Sequence, residues 1–286
     1  MVTRTRPRDR PGRIQTRHTP NSSAPVGPGL GRTADIGDNG DVIHAAADDP
    51  DVIPTSGSSA AAAPQLVIFD LDGTLTDSAQ GIVSSFRHAL GKVGAAVPDG
   101  DLISRIVGPP MHHTLRAMDL GERTEAAITA YYDDYTSRGW AMNALFEGVR
   151  PLLDDLSAAG TRLAVATSKA EPTALRILAH FGLSEHFEVV AGAGVDRSRA
   201  AKADVLARAL VRLQPLPPRL LMVGDRVHDV EGAAAHGIDT VVVGWGYGRD
   251  DFTGTSVDST SVDSTRAAPS ATHVATVDQL REVLGV

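Results

Sequence analysis

Two carboxylates follow an apolar run near residue 70. The run is Leu66–Phe69, and Asp70 and Asp72 come directly after it, followed by Gly73 and Thr74. Because ligands of open parallel sheets bind beside the carboxyl ends of the strands, acids at this point lie where chemistry takes place. Two neighbouring acids can divide the work, one ionised as a nucleophile or metal ligand and the other acting as acid and base. A plain Asp-Gly turn would account for the dipeptide but not for the longer pattern DxDGTxTDS.

A second apolar run, Leu220–Val223, also ends in acids. Asp225 follows it after one glycine, and Asp229 stands four residues further on. Carboxylate oxygens are the ligands that Mg²⁺ prefers, so the pair predicts a magnesium site at the mouth of a sheet. A second role is equally favoured for Asp229, that of capping the helix that follows the strand.

Two hydroxyl groups and a lysine are candidate partners for a phosphate. Thr167 and Ser168 follow the apolar run Arg162–Ala166, and hydroxyls with free backbone N–H groups at a strand-to-helix turn can cradle phosphate oxygens. Capping of the next helix is the alternative for either residue, and the two roles are compatible. Lys202 opens a helical stretch in a chain with 24 Arg and only three Lys. A solvated surface lysine is the ordinary alternative, but a compact ammonium suits a crowded phosphate site better than a planar guanidinium.

Short apolar runs alternate with amphipathic helical stretches from residue 65 onward. This alternation predicts an α/β fold with a doubly wound parallel sheet. The stretch 83–147 is helical throughout and too long for a simple crossover, so it predicts an inserted helical subdomain. The rest, 65–82 and 148–286, forms the predicted core, with a flexible loop at 249–273 that contains a tandem SVDST repeat. The candidate strands are Leu66–Phe69, Arg162–Ala166, Phe187–Ala191, Leu220–Val223 and Thr240–Val243.

The first 64 residues differ in composition from the rest of the chain. They hold eight of the 17 prolines and no Phe, Trp or Tyr, so they cannot bury enough apolar surface to offset chain entropy. We expect a disordered arm. Its seven Arg and seven Asp stand in blocks, which would allow it to dock on the acidic remainder of the chain, although a solvated tail is favoured.

Whole-chain composition excludes several classes of protein. The absence of cysteine rules out disulfides, thiolate zinc sites and a cysteine nucleophile, and it favours a cytoplasmic setting. No run of 18 apolar residues is present, so no membrane partner is expected. A pI near 5.6 argues against a nucleic-acid partner.

In their order and spacing, these four segments resemble the haloacid dehalogenase superfamily of phosphohydrolases, and the resemblance covers residues 65–286. It implies a Rossmann-like core, a mobile all-helical cap, Mg²⁺ and an aspartyl-phosphate mechanism. Asp70 matches the nucleophile, Asp72 the acid and base, and Lys202 the lysine that holds the phosphoryl charge. The phosphate-binding positions are Gly73, Thr74, Thr167, Ser168 and Lys202, and the metal positions are Asp70, Asp72 through its main-chain carbonyl, Asp225 and Asp229.

Finer matches are similar to the branch that contains phosphoglycolate phosphatases and 5′-nucleotidases. They lie in Thr167–Lys169, in Gly108–Pro110 and in Gly244–Gly248. In that branch the cap closes over the site and selects the substrate, so the resemblance implies a phosphatase whose partner is a small phosphomonoester. Two features of the cap have ordinary interpretations. The adjacent His112 and His113 are expected to face solvent or to bond locally, which is favoured over a substrate role, and the tyrosines Tyr131, Tyr132 and Tyr135 are expected to pack the cap.

Two alternatives remain open. The strings VGPPM, ATSKAEPT and VVVGWGYG are similar to mycobacterial chains of the same superfamily that are described as tyrosine kinases acting on a partner tyrosine phosphatase. Against a kinase, the sequence has no GxxxxGK[ST] loop, no HRD motif with a downstream Asn and no DFG. The second alternative is a regulatory binding module. The intact acids at positions 70, 72 and 225 favour an enzyme over such a module.

Overall fold

The computed structural model describes residues 63–194, 200–252 and 269–286. Within these ranges the chain forms a six-stranded parallel sheet, a two-stranded antiparallel ribbon and nine α-helices. The strands are β1 (Leu66–Phe69), β2 (Thr76–Asp77), β3 (Ala144–Leu145), β4 (Arg162–Ala170), β5 (Val189–Ala193), β6 (Leu220–Gly224), β7 (Asp239–Val243) and β8 (Ala271–Val274). The helices are α1 (Ala79–Lys92), α2 (Leu102–Ile106), α3 (Met111–Ala117), α4 (Thr124–Ser137), α5 (Val149–Ala158), α6 (Glu171–His180), α7 (Lys202–Arg212), α8 (Val227–Ala234) and α9 (Val277–Leu284).

The parallel sheet is buried on both faces. Its order is β5-β4-β1-β6-β7-β8, and alternate residues of β1 point to opposite sides. Val67 and Phe69 join the cluster that α5, α6 and α9 cover, whereas Leu66 and Ile68 join the cluster under α7. Continuous burial explains why β1 is apolar at every position instead of alternating. The structure therefore has the doubly wound Rossmann-like α/β fold that the sequence predicts.

The strand order reverses direction beside β1. The chain proceeds outward from β1 to β4 and β5, then returns to β6 on the other side of β1 and continues outward to β8. Ligands of doubly wound sheets bind in the crevice at such a reversal, outside the carboxyl ends of the strands. Asp70 lies at the end of β1 and Asp225 at the end of β6, so both acids flank this crevice.

A helical insertion follows β1 and the short strand β2. Helices α1 to α4 share a second hydrophobic cluster that includes Phe86, Leu115 and Ile128, separate from the clusters of the sheet. The strands β2 and β3 pair antiparallel where the chain leaves and re-enters the core. We call α1 to α4 the cap. Helix α1 begins at Ala79 in the structure, whereas the predicted insertion begins at residue 83. The expectation that 83–147 is helical throughout is wrong at its end, because Ala144–Leu145 pairs with β2 as a strand.

Strand ends differ from the sequence prediction where local pattern is weak. The predicted Phe187–Ala191 is Val189–Ala193 in the structure, and β4 extends four residues beyond Ala166. The first three residues of β8 lie in the stretch 249–273 that the sequence predicts as a flexible loop. The strand forms because Ala271–Val274 pairs in register with β7, which is a long-range contact. Only one of these four side chains is buried, so the local sequence does not indicate a strand. The SVDST repeat and residues 1–62 of the predicted arm lie outside the described residues.

No α-helix among the described residues is long and apolar enough to cross a membrane.

Candidate active site

Asp70 is fixed by a buried lysine. The Nζ of Lys202 lies 2.7 Å from Asp70 Oδ1 and 2.7 Å from Asp229 Oδ1, and it donates to the carbonyl of Ala166 at 3.0 Å. Burial alone would lower the pKa of Lys202, but the charges of Asp229 and Asp70 raise it above the usual value. The lysine is therefore a fixed cation between two carboxylates, at the first residue of α7 as the sequence predicts.

The turn after β1 requires glycine at position 73. Gly73 has φ +85°, and a Cβ built there would lie 2.2 Å from Asp225 Oδ2. The missing side chain lets the turn approach the carboxylate at the end of β6. The neighbouring Thr74 hydroxyl is buried and has no hydrogen-bond partner among the described residues.

Three buried carboxylates converge in front of the sheet. One oxygen each from Asp70, Asp225 and Asp229 can be chosen so that all lie within 4.8 Å of one another, and each residue is at most 7% exposed. Lys202 neutralises one of the three charges. Asp225 Oδ1 is buried without a hydrogen-bond partner among the described residues, although Asp225 Oδ2 accepts the N–H of Tyr247 at 2.7 Å. Uncompensated carboxylate charge with an orphaned oxygen fits a divalent cation with hard oxygen ligands.

The cluster perturbs its own ionisation. Burial raises the pKa of Asp70 to about 6, with the charge of Lys202 acting in the opposite direction. Burial also raises the pKa of Asp225 well above its usual value, and the charges of Asp229 and Asp70 add to the effect. Holding these carboxylates together in their charged forms thus costs free energy, and a bound cation would remove this cost.

Asp229 contacts both the start of α8 and Lys202. Its Oδ2 accepts the backbone N–H of Asp225 at 3.1 Å and that of Arg226 at 3.0 Å, which satisfies donors at the start of α8. Its Oδ1 faces Lys202. These contacts match the helix-start role that the sequence leaves open, and the second oxygen pairs with the lysine. Ligation of a metal by Asp229 stays a prediction.

A bulge in β4 positions the hydroxyl segment. The pairing of β4 with β5 shifts register between Ala166 and Ala170, and bulges re-aim side chains. The Thr167 hydroxyl is buried and accepts the N–H of Lys169 at 3.2 Å. Helix α6 begins at Glu171 without a side-chain cap, so neither Thr167 nor Ser168 is its N-cap residue.

Asp72 pairs with Lys169. The Lys169 Nζ lies 2.8 Å from Asp72 Oδ2 and donates to the hydroxyl of Tyr135 at 2.7 Å. The charge of Asp72 raises the pKa of Lys169 above its usual value although burial opposes it. The ATSKA motif alone does not predict a role for this lysine. The scarcity of lysine could have indicated that Lys169 belongs to the site, because two of the three lysines in the chain lie there.

Two cavities meet at these residues. One, of about 380 Å³, is lined by Asp70, Asp72, Thr167, Ser168 and Lys202, and we call it the phosphoryl cavity. His113 also lines it from the cap. His112 is only 7% exposed and its Nδ1 lies 3.4 Å from the hydroxyl of Tyr132, so of the two expected environments it has local bonding and not solvent. Met111, on the same turn of α3, is also buried in the cap cluster.

The glycine-rich segment after β7 contacts both acidic strand ends. Trp245 Nε1 donates to the carbonyl of Thr74 at 3.1 Å, and the Tyr247 hydroxyl donates to Asp77 at 2.7 Å. Tyr247 also binds Asp225 through its N–H. The segment Gly244–Gly248 therefore connects the entry to the cap with the acid at the end of β6.

Comparison with known proteins decides the family. The model of the haloacid dehalogenase-like hydrolases matches residues 67–243, which include all the acids described above. The chain belongs to this family.

Relatives of this haloacid dehalogenase-like hydrolase carry different activity names. The chain is 60% identical over 282 residues to the tyrosine-protein kinase PtkA of Mycobacterium tuberculosis, covering 96% of this chain and 93% of the relative. It is 34% identical over 187 residues to a 5′-nucleotidase of Pseudomonas aeruginosa, covering 65% and 85%. A solved structure of the Mycobacterium tuberculosis protein tyrosine kinase A superposes with a TM-score of 0.68 at 69% identity, covering 79% of this chain and all of that one.

Proposed function

We propose that this hydrolase is a Mg²⁺-dependent phosphatase of small phosphomonoesters that forms an aspartyl-phosphate on Asp70. The observation that carries the proposal is the Asp70 carboxylate, held by Lys202 at the end of β1 and open to the phosphoryl cavity. Phosphoglycolate and nucleoside monophosphates are the substrate types that we favour. The predicted insertion 83–147, which contains most of the cap, closes over the core in this proposal. A cytoplasmic location is part of the proposal too, because the chain has no cysteine.

The first half of the proposed reaction transfers the phosphoryl group to the protein. A carboxylate oxygen of Asp70 attacks phosphorus, and the bond from phosphorus to the leaving oxygen breaks. Asp72 gives its proton to that oxygen, so the leaving group departs as an alcohol. Lys202 and the Thr167 hydroxyl, both at the cavity, stabilise the charge on the phosphoryl oxygens.

The second half returns the enzyme to its starting state. Asp72 accepts a proton from water as the water oxygen attacks phosphorus, and the bond from phosphorus to the Asp70 oxygen breaks. Inorganic phosphate leaves, and Asp72 is again protonated. One acid thus serves in both directions, and Lys169 holds its carboxylate in place.

The residues present fit a magnesium ion. Asp70, the main-chain carbonyl of Asp72 and Asp225 would hold it, and we assign Asp229 to Lys202 and the helix start because both of its oxygens have those partners. When bound, the ion supplies Lewis-acid stabilisation of the phosphoryl oxygens.

Replacement of Asp70 by Asn tests the nucleophile. Asp70→Asn keeps the size of the side chain but cannot attack phosphorus, so phosphate release from a panel of phosphomonoesters with Mg²⁺ should fall by several orders of magnitude. Asp204→Asn, an exposed acid of α7, is the matched control and should keep full activity. A well-folded Asp70→Asn protein with half the original rate would exclude this mechanism.

A kinase with the same nucleophile is the second candidate. The identity of 60% to a relative named tyrosine kinase favours it. The experiment is transfer of label from [γ-³²P]ATP to protein tyrosine, on the chain itself or on a tyrosine phosphatase partner, beside phosphate release from the same panel. Labelling that depends on Asp70, without release from any small phosphoester, would replace the phosphatase proposal. Activity of neither kind would leave a partner-binding module.

A further inference from the structure

A second cavity opens from the phosphoryl cavity toward the cap. It has a volume of about 300 Å³, and it shares Asp72, Ser168 and Lys169 with the phosphoryl cavity. A phosphate ester bound at Asp70 leaves through an oxygen that Asp72 protonates. The group on that oxygen must therefore extend past Asp72, and this cavity lies directly beside that acid.

The walls of the second cavity are mainly aromatic and apolar. Three tyrosines of α4 line one side, and Ile82, Ile106 and Met111 lie on the cap side with them. The three rings, which we call the tyrosine wall, belong to Tyr131, Tyr132 and Tyr135. Among the described lining residues, Lys169 is the single Lys or Arg, and its ammonium is already paired with Asp72.

The tyrosine wall is held in one arrangement. The rings of Tyr131 and Tyr135 stack with centroids 5.7 Å apart and planes 7° apart, and Tyr132 meets Tyr131 edge-on at 5.1 Å. The hydroxyl of Tyr135 accepts a hydrogen bond from Lys169, and that of Tyr132 lies 3.4 Å from His112 Nδ1. A wall fixed by such contacts loses little side-chain freedom when a ligand binds.

We propose that the tyrosine wall binds a flat aromatic ring in the leaving group of the substrate. The inference rests on the proposed phosphatase function and narrows its substrate class to phosphomonoesters such as nucleoside monophosphates or arylmethyl phosphates. Aromatic rings prefer offset-stacked and edge-on contacts, and both a nucleobase and a single benzene ring offer a face for them. A short aliphatic carboxylate such as glycolate gains no such contact.

The test uses substrate pairs that differ in the ring but not in the chemistry of the leaving oxygen. The full chain with Mg²⁺ is assayed for kcat/KM on adenosine 5′-monophosphate against ribose 5-phosphate, and on benzyl phosphate against cyclohexylmethyl phosphate. The first pair tests a nucleobase and the second a single ring. In at least one pair, we expect kcat/KM for the aromatic ester to exceed that for its partner by tenfold or more, about the effect of one stacking contact.

Variants of the wall show whether the preference arises there. Tyr132→Ala removes a half-buried ring and should bring the ratio of kcat/KM between the aromatic and the non-aromatic ester of a pair to below threefold. Tyr132→Phe keeps the ring and should keep this ratio. If Tyr132→Ala does not fold, Thr173→Trp fills the cavity from α6 and should lower the same ratio. Ratios below threefold in the original chain, a preference for phosphoglycolate over all four esters, or ratios that none of these variants changes would overturn the inference.

Failure of the proposed function can be distinguished from failure of this inference. If neither these esters nor the acyl phosphate acetyl phosphate releases phosphate, the phosphatase proposal fails on its own. The wall is then tested by calorimetric titration of the full chain with adenosine and with 4-methylphenol, neither of which contains phosphate. The inference is supported if the chain binds either compound, Tyr132→Ala abolishes this binding and Tyr132→Phe keeps it. It is refuted if neither compound binds.

Discussion

At the scale of single residues, the site depends on one ammonium group whose charge compensates two carboxylates. Lys202 contacts Asp70 and Asp229, both buried, and its side chain is 4% exposed. Removing one partner of a buried ionic group leaves the other charge without compensation, which destabilises proteins by about 3–5 kcal/mol. The residue that holds the proposed nucleophile therefore also contributes to stability.

Lys202→Met should lower both stability and activity. We expect the free energy of unfolding, measured by urea denaturation without Mg²⁺, to fall by about 3 kcal/mol because two carboxylates lose their cation. The exposed Lys92 supplies the matched control, and Lys92→Met should change neither quantity. An unfolding free energy equal to that of the original chain would contradict the structural role of Lys202.

Replacement of Asp225 should raise stability when Mg²⁺ is absent, whereas replacement of Lys202 lowers it. Its folded pKa is raised by burial and by neighbouring acids, so the charged form is disfavoured and stability is lost as the pH rises through that pKa. Asp225→Asn removes this charge and should raise the Tm at pH 7 by about 5 °C without metal. The original chain should gain Tm on addition of Mg²⁺, and the variant should not. A similar Mg²⁺-induced shift in both proteins would place the ion elsewhere.

At the scale of elements, the sequence predicts strands better than it predicts what lies at their ends. The run at Leu66–Phe69 is apolar throughout, and its ends match the structure because a fully buried strand leaves no ambiguous position. The bulge in β4 is different, since nothing in ATSKA indicates that pairing with β5 shifts there. The pairs of Lys202 with Asp229 and of Lys169 with Asp72 join residues distant in sequence, so only the assembled sheet reveals them.

The turn after β1 offers a prediction about an element. Gly73→Ala places a Cβ 2.2 Å from Asp225 Oδ2 and imposes a positive φ on alanine, so the acid or the turn must move. We expect phosphate release to fall by about 100-fold or more, as for a misplaced catalytic group.

The control for Gly73 is a glycine with the same backbone but open space around it. Gly160 has φ +79°, and a Cβ added there would meet no atom of another described residue within 4 Å, its two chain neighbours aside. Gly160→Ala should cost about 1 kcal/mol of stability through backbone strain and leave the rate unchanged. Equal rates for the two variants would mean that contact with Asp225 does not matter.

At the scale of the whole molecule, the cap and core are joined by polar contacts beside the site. Arg226, next to Asp225, donates to the carbonyl of Val107 and, at 3.4 Å, to that of Ser104, both in the cap. The same guanidinium pairs with Asp251 at 2.6 Å. Lys169 and Tyr135 form a second connection. Both connections start at residues adjacent to the proposed catalytic groups, so the position of the cap and the geometry of the site are linked.

Loss of the Arg226 connection should loosen the cap without unfolding the core. Arg226→Met keeps the aliphatic stem but removes the donors to the α2 turn, so carbonyls there lose their partner and the cap opens more often. We expect amide hydrogen exchange in 102–108 to accelerate about tenfold, while β1 and β6 stay protected, and KM for a phosphomonoester to rise more than kcat falls. Arg116→Met removes an exposed guanidinium whose ion pair among the described residues lies within the cap, with Glu125, and it should leave exchange in 102–108 unchanged. If both variants exchange alike, Arg226 does not hold the cap, and other contacts such as Lys169–Tyr135 and Arg176–Thr136 keep it on the core.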